Sequence, residues 1–330
     1  MRAASRSDNL NFEDIRAGDR RALSRFLTLV ENSREVVAEA LAGLPPPGDD
    51  HQIIGVTGPP GCGKSTLIAA LTTLYREGGR TVAIVAVDPS SPFTGGALLG
   101  DRIRMKALAG DRGVFIRSMA SRGSLGGLAW RTQDVVRVLA AAGFDRVIVE
   151  TVGAGQTAVD IAGLAPTTIV LQAPGAGDDV QANKAGLLEV ADILVVNKSD
   201  LPGAAGAKNA LQAMLDLGHP SKVITRDKPS WMPPILLTSA TEGTGISDLA
   251  ERIAGHFSYL KQHGLLAAFQ ESQWQSEFMH RLRETLLRGL FDTFTAEEFA
   301  GIIRRMVQER IDPQRAVDQL LQDHEFRRRE

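Results

Sequence analysis

Gly58-Pro59-Pro60-Gly61-Cys62-Gly63-Lys64-Ser65 is the stretch on which the reading of the whole chain turns. It has the spacing G-x-x-x-x-G-K-[ST], with the apolar run Ile53, Ile54 and Val56 before it and a helix-forming run from Thr66 to Tyr75 after it. By itself a glycine-rich turn says little. Leading from a strand into a helix, the same turn becomes a cradle for phosphate. Its glycines let successive backbone N–H groups turn inward around phosphate oxygens, and the helix start adds the positive end of its dipole. In that arrangement Lys64 reaches the β- and γ-phosphates and Ser65 can hold Mg²⁺, while Gly58, Pro59, Pro60, Gly61, Cys62, Gly63 and Thr66 line the loop.

Outward from this loop, residues 51 to about 255 alternate short β-rich runs with helical stretches, the pattern of a parallel sheet covered on both faces. The expected strands are Gln52–Thr57, Thr81–Asp88, Arg146–Glu150, Thr168–Gln172, Ile193–Asn197 and Ile235–Ser239, with Val114–Ile116 as a further candidate. The fold class is therefore α/β, a P-loop nucleotide-binding domain with a mostly parallel central sheet and helical extensions at both ends. Its expected parts are an N-terminal helical extension over 1–50, the nucleotide domain over 51–255 and a helical region over 256–330. Asp19 is placed to cap a helix carrying Leu23, Phe26, Leu27 and Val30, and Ser33 to cap a second one that Pro45 ends. At the other end, Trp274, Phe278, Leu282 and Leu286 share a stripe, Thr295 and Glu298 form a capping box, and Asp312-Pro313 opens a last helix.

Ligands of such sheets collect at the carboxyl ends of the strands, and each polar motif falls there. Asn197-Lys198-Ser199-Asp200 follows the apolar run Ile193–Val196 directly. A carboxylate at Asp200 can accept from both N1–H and the 2-amino group of guanine. Adenine lacks that amino group and presents a lone pair at N1, so it leaves the carboxylate unpaired. Asn197 suits the N7/O6 edge, the Lys198 stem can lie over the ring, and Ser239-Ala240 can offer a backbone N–H to O6. Alone the tetrapeptide could be a helix-capping turn; behind a phosphate loop it reads as a guanine site.

Between these ends lie carboxylates for a metal. Val147-Ile148-Val149-Glu150 is an apolar strand ending in an acid, with Gly153 placed to sense a γ-phosphate. Asp88 ends its own strand in the same way, and Asp101 lies in a glycine-rich segment that could swing toward the metal. Each could be only a cap or a surface acid, but around one phosphate site Lys64, Asp88, Asp101 and Glu150 form a catalytic set, of which the three acids, with Ser65, would bind Mg²⁺.

The chain of 330 residues carries 37 Lys plus Arg against 39 Asp plus Glu, so no strong field favours nucleic acid or an anionic membrane. Its single cysteine, Cys62, excludes an internal disulfide and fits a reducing compartment. No apolar run has membrane-spanning length, and Asp8, Glu13 and Asp14 interrupt any signal-peptide core, which together predict a soluble cytoplasmic protein.

These motifs resemble the MeaB/ArgK family of P-loop GTPases, the G-protein chaperones of adenosylcobalamin-dependent acyl-CoA mutases. The likeness runs from about Ile53 to Gly245 and includes Ala86-Val87-Asp88-Pro89-Ser90-Ser91, Leu99-Gly100-Asp101, Glu150-Thr151-Val152-Gly153-Ala154-Gly155-Gln156 and Pro174-Gly175-Ala176-Gly177-Asp178-Asp179. The resemblance implies GTP and GDP as ligands, Mg²⁺ as cofactor, and Asp88, Asp101 and Glu150 as the acids of metal binding and hydrolysis. It also implies a switch over Gly175 to Lys184, including Asp178, Asp179, Gln181 and Lys184, that relays nucleotide state to the mutase. A homodimer through C-terminal helices is a further implication. Departures at Phe93, Ala97 and the tract 179–183 leave open which mutase is served: the methylmalonyl-, isobutyryl- and 2-hydroxyisobutyryl-CoA enzymes all fit.

Adenosylcobalamin itself belongs to the partner on this reading, because the chain lacks the D-x-H-x-x-G pattern and its six histidines do not cluster. Gln156 does not directly follow Gly153 and no arginine finger is evident, so hydrolysis should be slow alone and faster with a partner. Three other readings are weaker. An ATP-dependent kinase of an amino-acid transport system conflicts with Asp200, a nickel-insertion GTPase needs Cys and His ligands at metal spacing, and a translation GTPase favours D-x-x-G with an adjacent glutamine or histidine.

Overall fold

Successive residues of a strand point to opposite faces of a sheet, and here both faces are apolar, so the sheet needs helices on each side. The computed structural model describes residues 12–32, 34–46, 50–88, 108, 110–120, 127–151, 156–175, 188–217 and 231–327. Its strands are β1 Gln52–Thr57, β2 Val82–Asp88, β3 Val114–Ala120, β4 Arg146–Thr151, β5 Thr167–Gln172, β6 Ile193–Val196 and β7 Ile235–Leu237. They form one seven-stranded sheet in the order β3-β2-β4-β1-β5-β6-β7. Every neighbouring pair runs parallel. At the centre, Val56 of β1 lies in register with Glu150 of β4 and Ile169 of β5.

The helices are α1 Phe12–Arg16, α2 Arg20–Asn32, α3 Ala38–Ala42, α4 Lys64–Glu77, α5 Gly127–Ala141, α6 Gln156–Leu164, α7 Ala204–Asp216 and α8 Ile246–Gln262, followed by α9 Leu265–Thr293, α10 Ala296–Glu309 and α11 Pro313–Arg327. One face of the sheet, with Ala83, Val85, Val87, Val147 and Val149, packs against Leu23, Phe26, Leu27 and Val30 of α2 and Val135, Val138 and Leu139 of α5. The other face, with Ile54, Val56, Val82, Ile84 and Ile148, meets Leu67, Ile68 and Leu71 of α4 and Leu249 and Ile253 of α8. Each such aliphatic side chain contributes about 1.5–3 kcal/mol on full burial. The second face thus holds α4, whose first turn carries the phosphate lysine, in a fixed place against the sheet.

Most expected strands occur, with instructive differences at their limits. β2 begins at Val82 because the Thr81 backbone N–H donates to Asp145 Oδ2 (2.7 Å), and its hydroxyl joins the same carboxylate (2.8 Å). β3 runs four residues beyond Ile116, to Ala120. Arg117 makes that stretch look like a loop in sequence, but its guanidinium pairs with Glu31 of α2 at 2.8 Å. The N-terminal helices are therefore fastened to an edge strand. Asp19 caps α2 as expected, accepting from the N–H groups of Arg21 (2.7 Å) and Ala22 (3.0 Å). Ser33 lies outside the described residues, and the segment after it starts as a 3₁₀ turn, Arg34–Val37, before α3.

The chain divides into two compact units, Met1–Phe269 and Gln270–Glu330. In the second, Thr295 and Glu298 form the capping box. Asp312 Oδ1 accepts from the Gln314 N–H (2.9 Å) to start α11. Phe299 packs against Phe291 with the rings tilted by 45° and their centroids 4.8 Å apart. On α9 of this unit, Trp274, Phe278, Leu282 and Leu286 are 58%, 65%, 39% and 63% exposed. Among the described residues, no helix is long and apolar enough to cross a membrane.

Candidate nucleotide site

β1 ends at Thr57 and α4 begins at Lys64, so the loop between them sits at the carboxyl edge of the central strand. Its shape is set by glycines at positive φ, among them Gly58 at 147° and Gly63 at 95°. A Cβ on Gly58 would strike the Leu171 carbonyl of the neighbouring strand β5, and one on Gly63 would strike the Asn197 side-chain amide. Only glycine combines that conformation with that proximity. The Lys64 ammonium folds back over the loop, donating to the carbonyls of Gly58 (2.9 Å) and Pro59 (3.0 Å). It is only 6% exposed, and its remaining proton is the one a phosphate oxygen can take. Cys62 is buried, and that burial raises its thiol pKa, so the group is an inert packing atom. Thr66, the next residue along, is exposed on the first turn of α4.

Beneath the loop, the Ser65 hydroxyl donates to Glu150 Oε1 at 2.8 Å, with both residues buried. Glu150 lies on β4, between β1 and β2. A hydroxyl and a carboxylate side by side supply the hard oxygen donors that Mg²⁺ takes, and the pair fits that ion. Thr151 and Thr57 link their hydroxyls across the same strand ends (3.1 Å). The Asp88 backbone closes β2 in register with Ala120, while its side chain lies outside the described residues. Asp101, Gly153, Asp178, Asp179, Gln181 and Lys184 also lie outside them.

The base end is built from side chains. After β6, the Asn197 backbone N–H continues the ladder to the Gln172 carbonyl (2.8 Å). Its side chain turns across the site, with Nδ2 donating to the Cys62 carbonyl of the phosphate loop (2.9 Å). Its Oδ1 accepts from the Thr238 hydroxyl (3.1 Å) and the Ala240 N–H (3.2 Å). Asn197 is thus first a brace joining three loops, with one amide proton left for a purine edge. The Ala240 N–H, expected on O6, is directed at that brace. Lys198 adopts a left-handed conformation (φ 59°), unusual for a residue with a Cβ. Asp200 follows, exposed, with Oδ1 held by the Ser239 hydroxyl at 2.7 Å. One oxygen is therefore fixed and the other is available to N–H donors.

The structure thus brings together the phosphate loop, Glu150, Asn197, Lys198, Asp200, Ser239 and Ala240 along one edge of one sheet. Sequence reasoning missed Thr238, which is fully buried and orients the Asn197 amide. A hydroxyl one residue before Ser239, in an otherwise aliphatic strand end, was the available signal.

Comparison with known proteins agrees with this geometry. A family model described as methylmalonyl-CoA mutase-associated GTPase MeaB matches residues 23–295. A Pyrococcus abyssi protein named as a GTPase is 45% identical over 314 residues, spanning 94% of this chain and 95% of that protein. A mouse protein named methylmalonic aciduria type A homolog, mitochondrial, is 30% identical over 320 residues, 92% of this chain and 76% of that protein. A solved structure described as an LAO/AO transport system kinase superposes with a TM-score of 0.69 at 28% identity, over 94% of this chain and 95% of that one.

Proposed function

The chain belongs to the family of methylmalonyl-CoA mutase-associated GTPases, and on that premise we propose that it uses GTP hydrolysis to gate adenosylcobalamin loading into an acyl-CoA mutase and to protect or reactivate that enzyme. The observation that carries the guanine half of this reading is Asp200, whose Oδ1 is pinned by Ser239 so that the carboxylate is set before a base bearing a 2-amino group. A kinase using ATP would leave that carboxylate without a donor.

Lys64 supplies charge to the β- and γ-phosphates, and the loop N–H groups hold them in place. Bound at Ser65 and Glu150, Mg²⁺ would neutralise charge on the phosphate oxygens. Asp88 and Asp101 are proposed as further metal-binding and hydrolytic acids, and Gly153, Asp178, Asp179, Gln181 and Lys184 as residues that sense and relay the nucleotide state. Adenosylcobalamin is assigned to the mutase, because the sequence lacks the D-x-H-x-x-G pattern. The exposed stripe Trp274, Phe278, Leu282 and Leu286, at four-residue spacing on α9, supports a homodimer through the C-terminal helices.

Single-turnover GTP hydrolysis, measured with and without each candidate mutase loaded with cobalamin, tests the proposal. Stimulation of at least about tenfold by one mutase is expected, since partner-supplied groups can contribute large rate factors. Equal rates with every mutase, or tighter binding of ATP than GTP, would refute it.

A further inference from the structure

The carboxyl ends of β1 and β4 are joined by side chains on both faces of the sheet. Their register closes at the pair Val56 and Glu150. One residue further on, the Thr151 hydroxyl donates to the Thr57 hydroxyl at 3.1 Å, with both residues buried. Side chains alternate along a strand, so these threonines share the face of Ile53, Val147 and Val149, against which α2 and α5 pack. Ser65 and Glu150 meet on the opposite face, that of Ile54, Val56 and Ile148, where α4 packs.

Two valines of the same shape would fill the place of the threonines and leave no polar group to satisfy. The hydroxyls add a fixed, directional link where apolar packing would need none. That link joins two neighbours of the site, because Thr57 directly precedes Gly58 of the phosphate loop and Thr151 directly follows Glu150. The two cross-strand contacts also differ in their duties. Ser65 and Glu150 share their oxygens with Mg²⁺ when they hold it. Thr57 and Thr151, on the other face, keep their bond to themselves.

We propose that Thr57 and Thr151 are positioning residues for GTP hydrolysis. Their hydroxyl bond holds the start of the phosphate loop and the end of the acid strand at one spacing, so that Lys64 and Glu150 serve the same triphosphate. The inference rests on the reading of the site as one for GTP and Mg²⁺.

Thr57→Val, Thr151→Val and the double valine variant of the full chain test this, with the double variant Thr57→Ser/Thr151→Ser as the conservative control. Each single valine strands one buried hydroxyl and lowers the melting temperature, whereas the double valine removes both partners and should melt within about 3 °C of the native chain. GDP binding by the double valine variant in EDTA should stay within about twofold of native, since the phosphate loop grips through its own main chain. The gain in GTP affinity on adding Mg²⁺ should shrink by about tenfold. Single-turnover hydrolysis at saturating GTP and Mg²⁺ should slow by at least about tenfold. The serine pair can rebuild the bond and should recover both. A double valine variant with the native rate and the native response to Mg²⁺ would overturn the inference, as would a serine pair no better than the valine pair. So would an equal loss of GDP binding in EDTA, the mark of general support for the loop. If the native chain prefers ATP, the reading of function fails, and the same comparison made with ATP still decides the role of the threonines.

Discussion

The phosphate loop and the base loop leave the same sheet edge but are built by different means. Gly58 to Ser65 acts through its main chain: glycines at positive φ shape it, and Lys64 is held by two carbonyls of the loop itself. The base loop acts through side chains, since Asn197, Thr238, Ser239 and Asp200 hold one another, and Asn197 reaches across to the Cys62 carbonyl. A main-chain cradle suits phosphate, which is the same in every nucleotide. Choice of base needs side-chain donors and acceptors at fixed angles.

The two loops meet at Gly63, so Gly63→Ala should have the largest effect. Its Cβ would fall on the Asn197 amide and force a left-handed alanine. The strain costs about 1–2 kcal/mol. The lost brace adds about 1–3 kcal/mol. Together they predict GTP binding weaker by about 10³-fold in calorimetry, with tenfold for each 1.4 kcal/mol or so. A change within twofold would show that the loops are independent.

Asp200→Asn should touch only the base. It removes a charged acceptor worth about 1.5–3 kcal/mol, so GTP affinity should fall by about 10²-fold while XTP affinity rises. Competition of GTP and XTP for a fluorescent GDP analogue reads both directions. Equal losses for the two nucleotides would mean that Asp200 supports the loop without reading the base. Thr238→Val goes a step further back. It leaves Asn197 Oδ1 with the longer Ala240 contact of 3.2 Å and should weaken GTP by roughly tenfold or less.

That gradient explains what could be read from the sequence. The phosphate loop was legible because its geometry is local: spacing, glycines, and the change from strand to helix are all in one stretch. Strand cores were legible for the same reason, through short continuous apolar runs such as Ile193–Val196. β3 was under-read because Arg117 is made compatible with a strand by Glu31 and Thr28, 86 and 89 residues away in sequence. Thr238 escaped notice because nothing nearby in sequence shows that its hydroxyl would meet Asn197, 41 positions earlier. The exposure of Trp274 and Phe278 was likewise hidden, since helical periodicity marks an apolar face without naming what covers it.

The smallest expected effect is a control at the far end of the strands. Burial holds the pKa of His51 below its ordinary 6.5, so the folded chain binds this proton less readily than the unfolded chain does. Above pH 6.5 both forms are neutral and the stabilisation is fully present. As pH falls below 6.5, the unfolded state takes up the proton first, and stability drops by at most about 1.4 kcal/mol per pH unit until the folded ring also titrates. His51→Gln should flatten urea-derived stability between pH 6.5 and 5 relative to the native chain, while GTP affinity at pH 7.5 stays within twofold. A variant that keeps the native slope would show that other groups set acid sensitivity. A large loss of GTP affinity would instead mean that the rear of α4, β1 and β4 shapes the phosphate loop as strongly as the Asn197 brace does.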